Sequence, residues 1–236
     1  MENNTEEKVV IDGFEKLTLL DYPGNIACII FTRGCNLRCP FCQNGTILDF
    51  KTEKGKYSED EIFEYLNKRK NVLDGICITG GEPLLQPDIK EFIQKVKKLN
   101  LKVKLDTNGT NYLKLKELVD EKLVDYVAMD VKNTFSKYPE IAGKKDLNVD
   151  NIKKSINFLK KGNVDYEFRT TIVKDFHTFE DIEEICKMIG KESKYYLQNF
   201  VNSENVLESK LEGYQDEELQ EWKAKLKETY EKIEIR

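Results

Sequence analysis

Three cysteines, Cys35, Cys39 and Cys42, sit in the run Arg33-Gly34-Cys35-Asn36-Leu37-Arg38-Cys39-Pro40-Phe41-Cys42-Gln43-Asn44. This CxxxCxxC spacing constrains the chain more than any other feature, because it supplies three soft ligands and no nearby fourth. Thiolates select iron–sulfur clusters, zinc or copper(I). A [4Fe–4S] cluster ordinarily takes four cysteines, so a loop that supplies three leaves one iron open to bind something that reacts. Catalytic zinc sites keep an open position by the same logic. Gly34 and Pro40 suit a backbone that curls around a compact object instead of continuing a strand.

Two blander readings stand beside the cluster. Zinc is one, with Cys28 or the only histidine, His177, completing a tetrahedral site. A disulfide is the other, but it leaves one thiol over, and the start Met1-Glu2-Asn3-Asn4-Thr5-Glu6-Glu7 is acidic and not signal-like. Cys28 alternates with apolar neighbours in Ile26-Ala27-Cys28-Ile29-Ile30-Phe31 and reads as a small buried strand residue, as do Cys77 and Cys186.

The chain has 236 residues and a net charge of −5, with lysines and glutamates interspersed. No basic stripe points to nucleic acid or an anionic membrane, and no apolar run approaches the ~18 residues of a spanning helix. A cytoplasmic protein with no nucleic-acid or membrane partner is expected, its thiols kept reduced. Residues 1–236 read as a single domain, with 1–10 flexible and a C-terminal helix and tail, 215–236, packed on the core.

From residue 26 onward, short β-branched runs alternate with longer amphipathic stretches, the pattern of repeated βα units and a parallel sheet. Strands are expected over 26–32, 75–79, 101–106, 124–130, 165–172 and 194–199. Helices are expected over 59–70, 87–99, 113–121, 150–161, 178–190 and 215–229. Ser58 with Glu61 reads as a capping box, and Thr178 with Asp181 as a close relative. Leu219, Trp222 and Leu226 share one face of the last helix and read as core packing.

Ligands of parallel sheets and barrels collect at the carboxyl ends of the strands, and the unusual motifs fall there. The cysteine loop follows the first strand, Thr79-Gly80-Gly81-Glu82-Pro83 the second, Asp106-Thr107-Asn108-Gly109 the third, and Asp130-Val131-Lys132-Asn133 the fourth. Arg169 lies near the end of the fifth. Gly80-Gly81 lets backbone approach a ligand, and Glu82 offers an acceptor to an ammonium group. Asp106 and Asp130 can accept from an amine or ribose hydroxyls, and Lys132 can neutralise a carboxylate. Against this, the Gly-Gly-Glu-Pro tract fits a plain turn, either Asp a helix cap, Arg169 a salt bridge, and His177 a loop residue. Around an open cluster, the set describes a pocket for an amino acid joined to a nucleoside, of which S-adenosylmethionine is one.

With these residues the chain resembles the radical S-adenosylmethionine superfamily, Phe41 occupying the usual aromatic place before the third cysteine. The resemblance implies a partial (β/α)6 barrel with parallel strands and with one [4Fe–4S] cluster and S-adenosylmethionine at its C-terminal mouth. It implies that Cys35, Cys39 and Cys42 hold the cluster and that Gly80, Gly81 and Glu82 contact the methionyl amine. Asp106, Thr107, Asp130 and Lys132 match positions lining the cofactor site in glycyl-radical-enzyme activases; Gln43, Arg169 and Gln198 complete the expected contacts. Gly13-Phe14-Glu15-Lys16-Leu17-Thr18-Leu19-Leu20-Asp21-Tyr22-Pro23-Gly24 resembles the activating proteins of anaerobic ribonucleoside-triphosphate reductase. This start is also near that of pyruvate formate-lyase activases. Gln43 departs from the His these activases often carry. The implied partners are a glycyl radical enzyme and an electron donor such as flavodoxin or ferredoxin. The rivals are a radical enzyme acting on a small molecule and a zinc-bearing binding module.

Metal analysis of the anaerobically purified protein separates these readings. About four irons with inorganic sulfide per chain are expected for a [4Fe–4S] centre; one zinc and no sulfide would favour the binding module.

Overall fold

The computed structural model describes residues 9–50 and 54–236. Among them the strands are β1 (Ile11–Thr18), β2 (Ala27–Thr32), β3 (Gly75–Gly80), β4 (Lys102–Thr107), β5 (Tyr126–Asp130), β6 (Asp165–Ile172), β7 (Tyr195–Asn199) and β8 (Ile233–Ile235). The helices are α1 (Glu59–Arg69), α2 (Ile89–Lys98), α3 (Tyr112–Asp120), α4 (Tyr138–Ile141), α5 (Val149–Leu159), α6 (Phe179–Ile189) and α7 (Asp216–Lys227). The six expected strands and six expected helices are thus present, within three residues at each end. Sequence reading had not anticipated β1, β8 and the single-turn α4. The strands form an eight-stranded sheet in chain order, β1 to β8, and the class is α/β.

The residues divide into two compact units, each assembled from separated segments. The first takes the chain up to Asn36, then Ile47–Asp106 and Glu117–Tyr126. In it, β1 runs antiparallel to β2, while β2 with β3 and β3 with β4 are parallel. Cys28, Ile30, Ile76 and Ile78 are wholly buried, as expected of parallel strands, which read as continuous apolar runs. Helix α2 buries Ile89, Phe92, Ile93 and Val96, the i, i+3, i+4, i+7 stripe of an amphipathic helix. Helix α1 opens on the Ser58/Glu61 capping box and buries Ile62 and Leu66. The expected loose start falls largely on residues 1–8, outside the described residues. Val9 and Val10 are held, their N–H groups donating to Glu59 Oε1 at 3.1 Å and Gln86 Oε1 at 2.9 Å.

The second unit takes Leu37–Thr46, Thr107–Lys116 and Val127–Arg236. Strands β6, β7 and β8 are parallel neighbours. Helix α6 opens on the Thr178/Asp181 box and buries Ile182, Ile185, Cys186 and Ile189. Helix α7 buries Leu219 and Leu226, and Trp222 stacks 4.6 Å from Tyr214 and 5.9 Å from Phe179. Arg236, just past β8, makes two hydrogen bonds to the buried Glu167 carboxylate, at 2.7 and 3.0 Å. Its guanidinium also lies 3.5 Å from the Tyr196 ring centroid.

Replacing Arg236 removes two charge-assisted hydrogen bonds from the buried Glu167 carboxylate. Arg236→Ala should therefore lower stability by about 2 kcal/mol, measured by chemical denaturation, whereas exposed pairs such as Lys68–Glu64 should contribute under about 1 kcal/mol.

Candidate functional site

In the first unit the cysteine loop begins with backbone pairing. The N–H of Gly34 donates to the Ile47 carbonyl at 2.7 Å and that of Cys35 to Leu48 at 3.0 Å. Gly34 has φ +91°, and a Cβ there would strike the Phe50 ring. The Gly-Gly-Glu tract lies directly against this start: Glu82 N–H donates to the Gly34 carbonyl at 2.8 Å, and a Cβ on Gly81 would collide with that oxygen. Only glycine allows such a backbone approach. The buried Glu82 side chain accepts from Leu84 N–H at 3.2 Å, capping the short turn Pro83–Leu85. Gln86 extends the bracing, its amide donating to the Arg33 carbonyl. Arg33 in turn pairs with buried Asp12.

Asp106, at the end of β4, carries an ion pair with Lys104. Residues two apart on a strand share a face, so the lysine runs beneath the aspartate and is itself 1% exposed. Sequence reading missed Lys104; its signal was a lysine in an otherwise buried strand, two residues before a strand-end carboxylate.

The second unit holds the rest of the loop. Arg38 N–H donates to the Ala142 carbonyl at 2.9 Å, Glu208 N–H to Pro40 at 3.0 Å, and Gly45 N–H to Asn205 at 3.2 Å. The Gln43 amide donates to the Val201 carbonyl at 3.0 Å, so this residue straps the loop to the 201–208 segment. Phe41 is buried against Phe176 and His177, with ring centroids 6.0 and 6.1 Å apart. Burial first, with smaller charge contributions, pushes the Cys39 thiol up to about 11 and raises Cys42 as well.

Arg169, inside β6, meets Asp130 and Lys132 at the end of β5. Arg169 Nε reaches Asp130 Oδ1 at 2.9 Å, and Lys132 Nζ reaches Oδ2 at 3.1 Å. Burial alone would raise the Asp130 carboxyl, but Arg169 and Lys132 outweigh it and bring it down to about 2. Burial likewise opposes the Lys132 ammonium, and Asp130 reverses this and raises its pKa. The charges of Lys132 and Asp130 are felt at both Cys39 and Cys42. Thr107 is buried, its hydroxyl accepting from Gly109 N–H at 3.1 Å. Gln198 is partly buried on β7, in register with Thr171.

His177 is a loop residue, as expected, but wholly buried. Val173 N–H donates to its Nδ1 at 3.1 Å, and its Nε2 donates to the Lys132 carbonyl at 2.8 Å. An imidazole that accepts at Nδ1 and donates at Nε2 is neutral, and burial lowers its pKa. Tyr138, which no sequence signal marked, accepts from Lys132 N–H at 3.1 Å and donates to the Asp130 carbonyl at 3.3 Å.

None of the six cysteines is in a disulfide. Among the described residues, no three His, Cys, Asp or Glu side chains are grouped to hold a metal ion. A cluster spreads its thiolates over separate irons, so its ligands need not converge on one point. The donor set fits such a cluster: three thiols on one loop whose backbone is tied from outside.

A family model described as "Radical SAM superfamily" matches residues 29–189. A candidate glycyl-radical enzyme activating enzyme of Methanocaldococcus jannaschii is 40% identical over 200 residues, 82% of this chain and 80% of its own. The pyruvate formate-lyase-activating enzyme of Clostridium pasteurianum is 30% identical over 152 residues, 62% of each chain. Among solved structures, SuiB of Streptococcus suis aligns with a TM-score of 0.67 at 17% identity, covering 86% of this chain and 47% of its own. This chain therefore spans about half of SuiB. QueE of Escherichia coli aligns with a TM-score of 0.57 at 14% identity, covering 97% of this chain and 93% of its own. These structural likenesses support the fold expected of a partial (β/α)6 barrel.

Because the folded-state pKa of His177 lies below the ordinary 6.5, the unfolded chain binds more protons between the two values, and stability falls as pH drops below about 6.5. Unfolding of His177→Phe should lack this component. The difference in stability between wild type and variant should narrow from pH 7.5 to pH 5.5; a constant difference would show that the imidazole does not titrate as described.

Proposed function

Because the chain belongs to the radical SAM superfamily, and within it to the glycyl-radical enzyme activating proteins, we propose that it installs a glycyl radical on anaerobic ribonucleoside-triphosphate reductase. The observation that carries the activase reading is the likeness to the Methanocaldococcus jannaschii relative, which extends over most of both chains. The partner assignment rests on the Gly13–Gly24 segment. The likeness to a pyruvate formate-lyase-activating enzyme favours pyruvate formate-lyase as the second candidate.

The family uses a [4Fe–4S] cluster and S-adenosylmethionine. When bound, they supply one-electron cleavage of the sulfonium and removal of a hydrogen from a backbone glycine of the partner. The protein's own part is to bind, orient and exclude water. Cys35, Cys39 and Cys42 hold the cluster. Gly80 and Gly81 let the turn close against the backbone of Thr32 and Gly34, which sets the main chain that contacts the methionyl end, and Glu82 accepts from its amine. Lys132, its charge secured by Asp130, neutralises the cofactor carboxylate. Asp106 and Thr107 face the ribose and Gln198 the adenine, while Arg169 holds Asp130 in place. Phe41 and Gln43 fix the cysteine loop around the cluster. Residues 1–236 act as one core in the cytoplasm, receiving electrons from a flavodoxin or ferredoxin. Among the described residues no helix is long and apolar enough to cross a membrane.

The test is anaerobic incubation of the reduced, iron-reconstituted protein with S-adenosylmethionine and each candidate reductase or lyase. A glycyl radical signal by electron paramagnetic resonance on the ribonucleotide reductase, with 5′-deoxyadenosine formed, is the expected result. A signal on pyruvate formate-lyase alone would move the assignment to the second candidate, and no 5′-deoxyadenosine with any partner would overturn the activase reading.

A further inference from the structure

The Lys132 peptide is gripped on both sides by buried side chains. Its N–H donates to the Tyr138 hydroxyl at 3.1 Å, and its carbonyl accepts from His177 Nε2 at 2.8 Å. Both rings are 0% exposed. This arrangement begins where the sheet stops serving the chain. Val131 N–H still donates to the Arg169 carbonyl at 2.8 Å, and the Val131 carbonyl accepts from Thr170 Oγ1 at 2.7 Å. One residue further on, side chains take over the role of the strand ladder.

The imidazole is also fixed from elsewhere. The Lys132 carbonyl can only accept, so Nε2 carries a proton; Val173 N–H points at Nδ1, and the Tyr214 hydroxyl donates to the His177 carbonyl at 2.6 Å. The ring meets Phe41 edge-on, at 69°. His177 thus joins the backbone beneath the lysine to the aromatic residue between Cys39 and Cys42. Tyr138 joins it to Asp130, whose carbonyl accepts from the same hydroxyl at 3.3 Å. A lysine stem has four rotatable carbons and much rotamer freedom, so its ammonium is directed only if the backbone is rigid and the head is held. Asp130 holds the head at 3.1 Å. An ammonium carries three donors, so a carboxylate ligand can share it with Asp130.

We propose that His177 and Tyr138 are positioning residues that aim the Lys132 ammonium at the carboxylate of the bound cofactor. The inference rests on the functional reading above, in which Lys132 meets that carboxylate. The readout is a binding preference that general loosening of the fold would leave unchanged. Two probes serve: S-adenosylhomocysteine, and its decarboxylated form S-adenosyl-3-thiopropylamine. Affinities for both are measured by calorimetry on the iron-reconstituted protein.

Wild type should prefer the carboxylate-bearing probe, and Lys132→Gln should abolish most of that preference. His177→Phe keeps the ring against Phe41, and Tyr138→Phe keeps the packing and removes one hydroxyl. Each should cut the preference by about tenfold, the worth of one well-aimed charge-assisted bond. His177→Gln, which can still donate to the Lys132 carbonyl, should restore part of it. In the Lys132→Gln background neither Phe substitution should lower it further. Equal losses for both probes, or a preference unchanged in both Phe variants while Lys132→Gln loses it, would overturn the inference and leave the functional reading standing. If His177→Phe does not fold, Tyr138→Phe decides alone. Failure of wild type to bind S-adenosylhomocysteine at all would instead overturn the functional reading, and this inference with it.

Discussion

A charge held at the end of a buried strand must be answered by another charge, because each ion withdrawn from water costs several kcal/mol unless it is paired and hydrogen-bonded. The second unit is organised around that demand. Asp130 closes β5, and its two oxygens are taken by Arg169 from β6 and by Lys132 two residues on. Pairing alone is not enough, since the attraction holds only while the three groups keep their geometry. The backbone beneath them is therefore pinned by Tyr138, His177 and Thr170. Rigidity at this strand end follows from electrostatics.

The cysteine loop is held by a different means, close approach of backbones at glycine. A side chain on Gly81 would collide with the Gly34 carbonyl, one on Gly143 with that of Arg38, and one on Gly45 with that of Asn205. Each contact sets main chain against the loop at a position other than the cysteines. The loop thus owes its path to segments distant in sequence, whereas its chemistry is local. That division suits a preorganised ligand set, whose supporting shell matters as much as the ligands themselves.

Much of the fold was legible because its signals are periodic. The alternation of apolar runs with amphipathic stretches located six strands and six helices, and the Ser58/Glu61 and Thr178/Asp181 boxes marked two helix starts. Strand β1 was missed because its residues from Glu15 to Leu17 face solvent and the alternation fades; β8 has three residues, too few to carry a period. In the site, two of the bland readings describe contacts that the structure shows. Arg169 makes a salt bridge with Asp130, and Glu82 caps the turn that follows β3. Tyr138 gave no signal because its task is set by a hydroxyl meeting a peptide six residues away in sequence. His177 read as a loop residue because nothing in Lys174-Asp175-Phe176-His177-Thr178 reveals that its ring points inward.

What the sequence by itself determined is the chemistry on offer: three cysteines at CxxxCxxC spacing and polar residues after successive strands. It could do so because ligand type, spacing and hydrophobic period are local properties of a chain. Tertiary structure alone decided which charges neutralise one another and which are held ready. Lys104 lies under Asp106, Arg169 and Lys132 divide Asp130, and His177 holds Lys132 by its carbonyl. Those partnerships join residues as many as 45 apart in sequence, and distance and burial, which set the strength of every such interaction, exist only once the chain is folded.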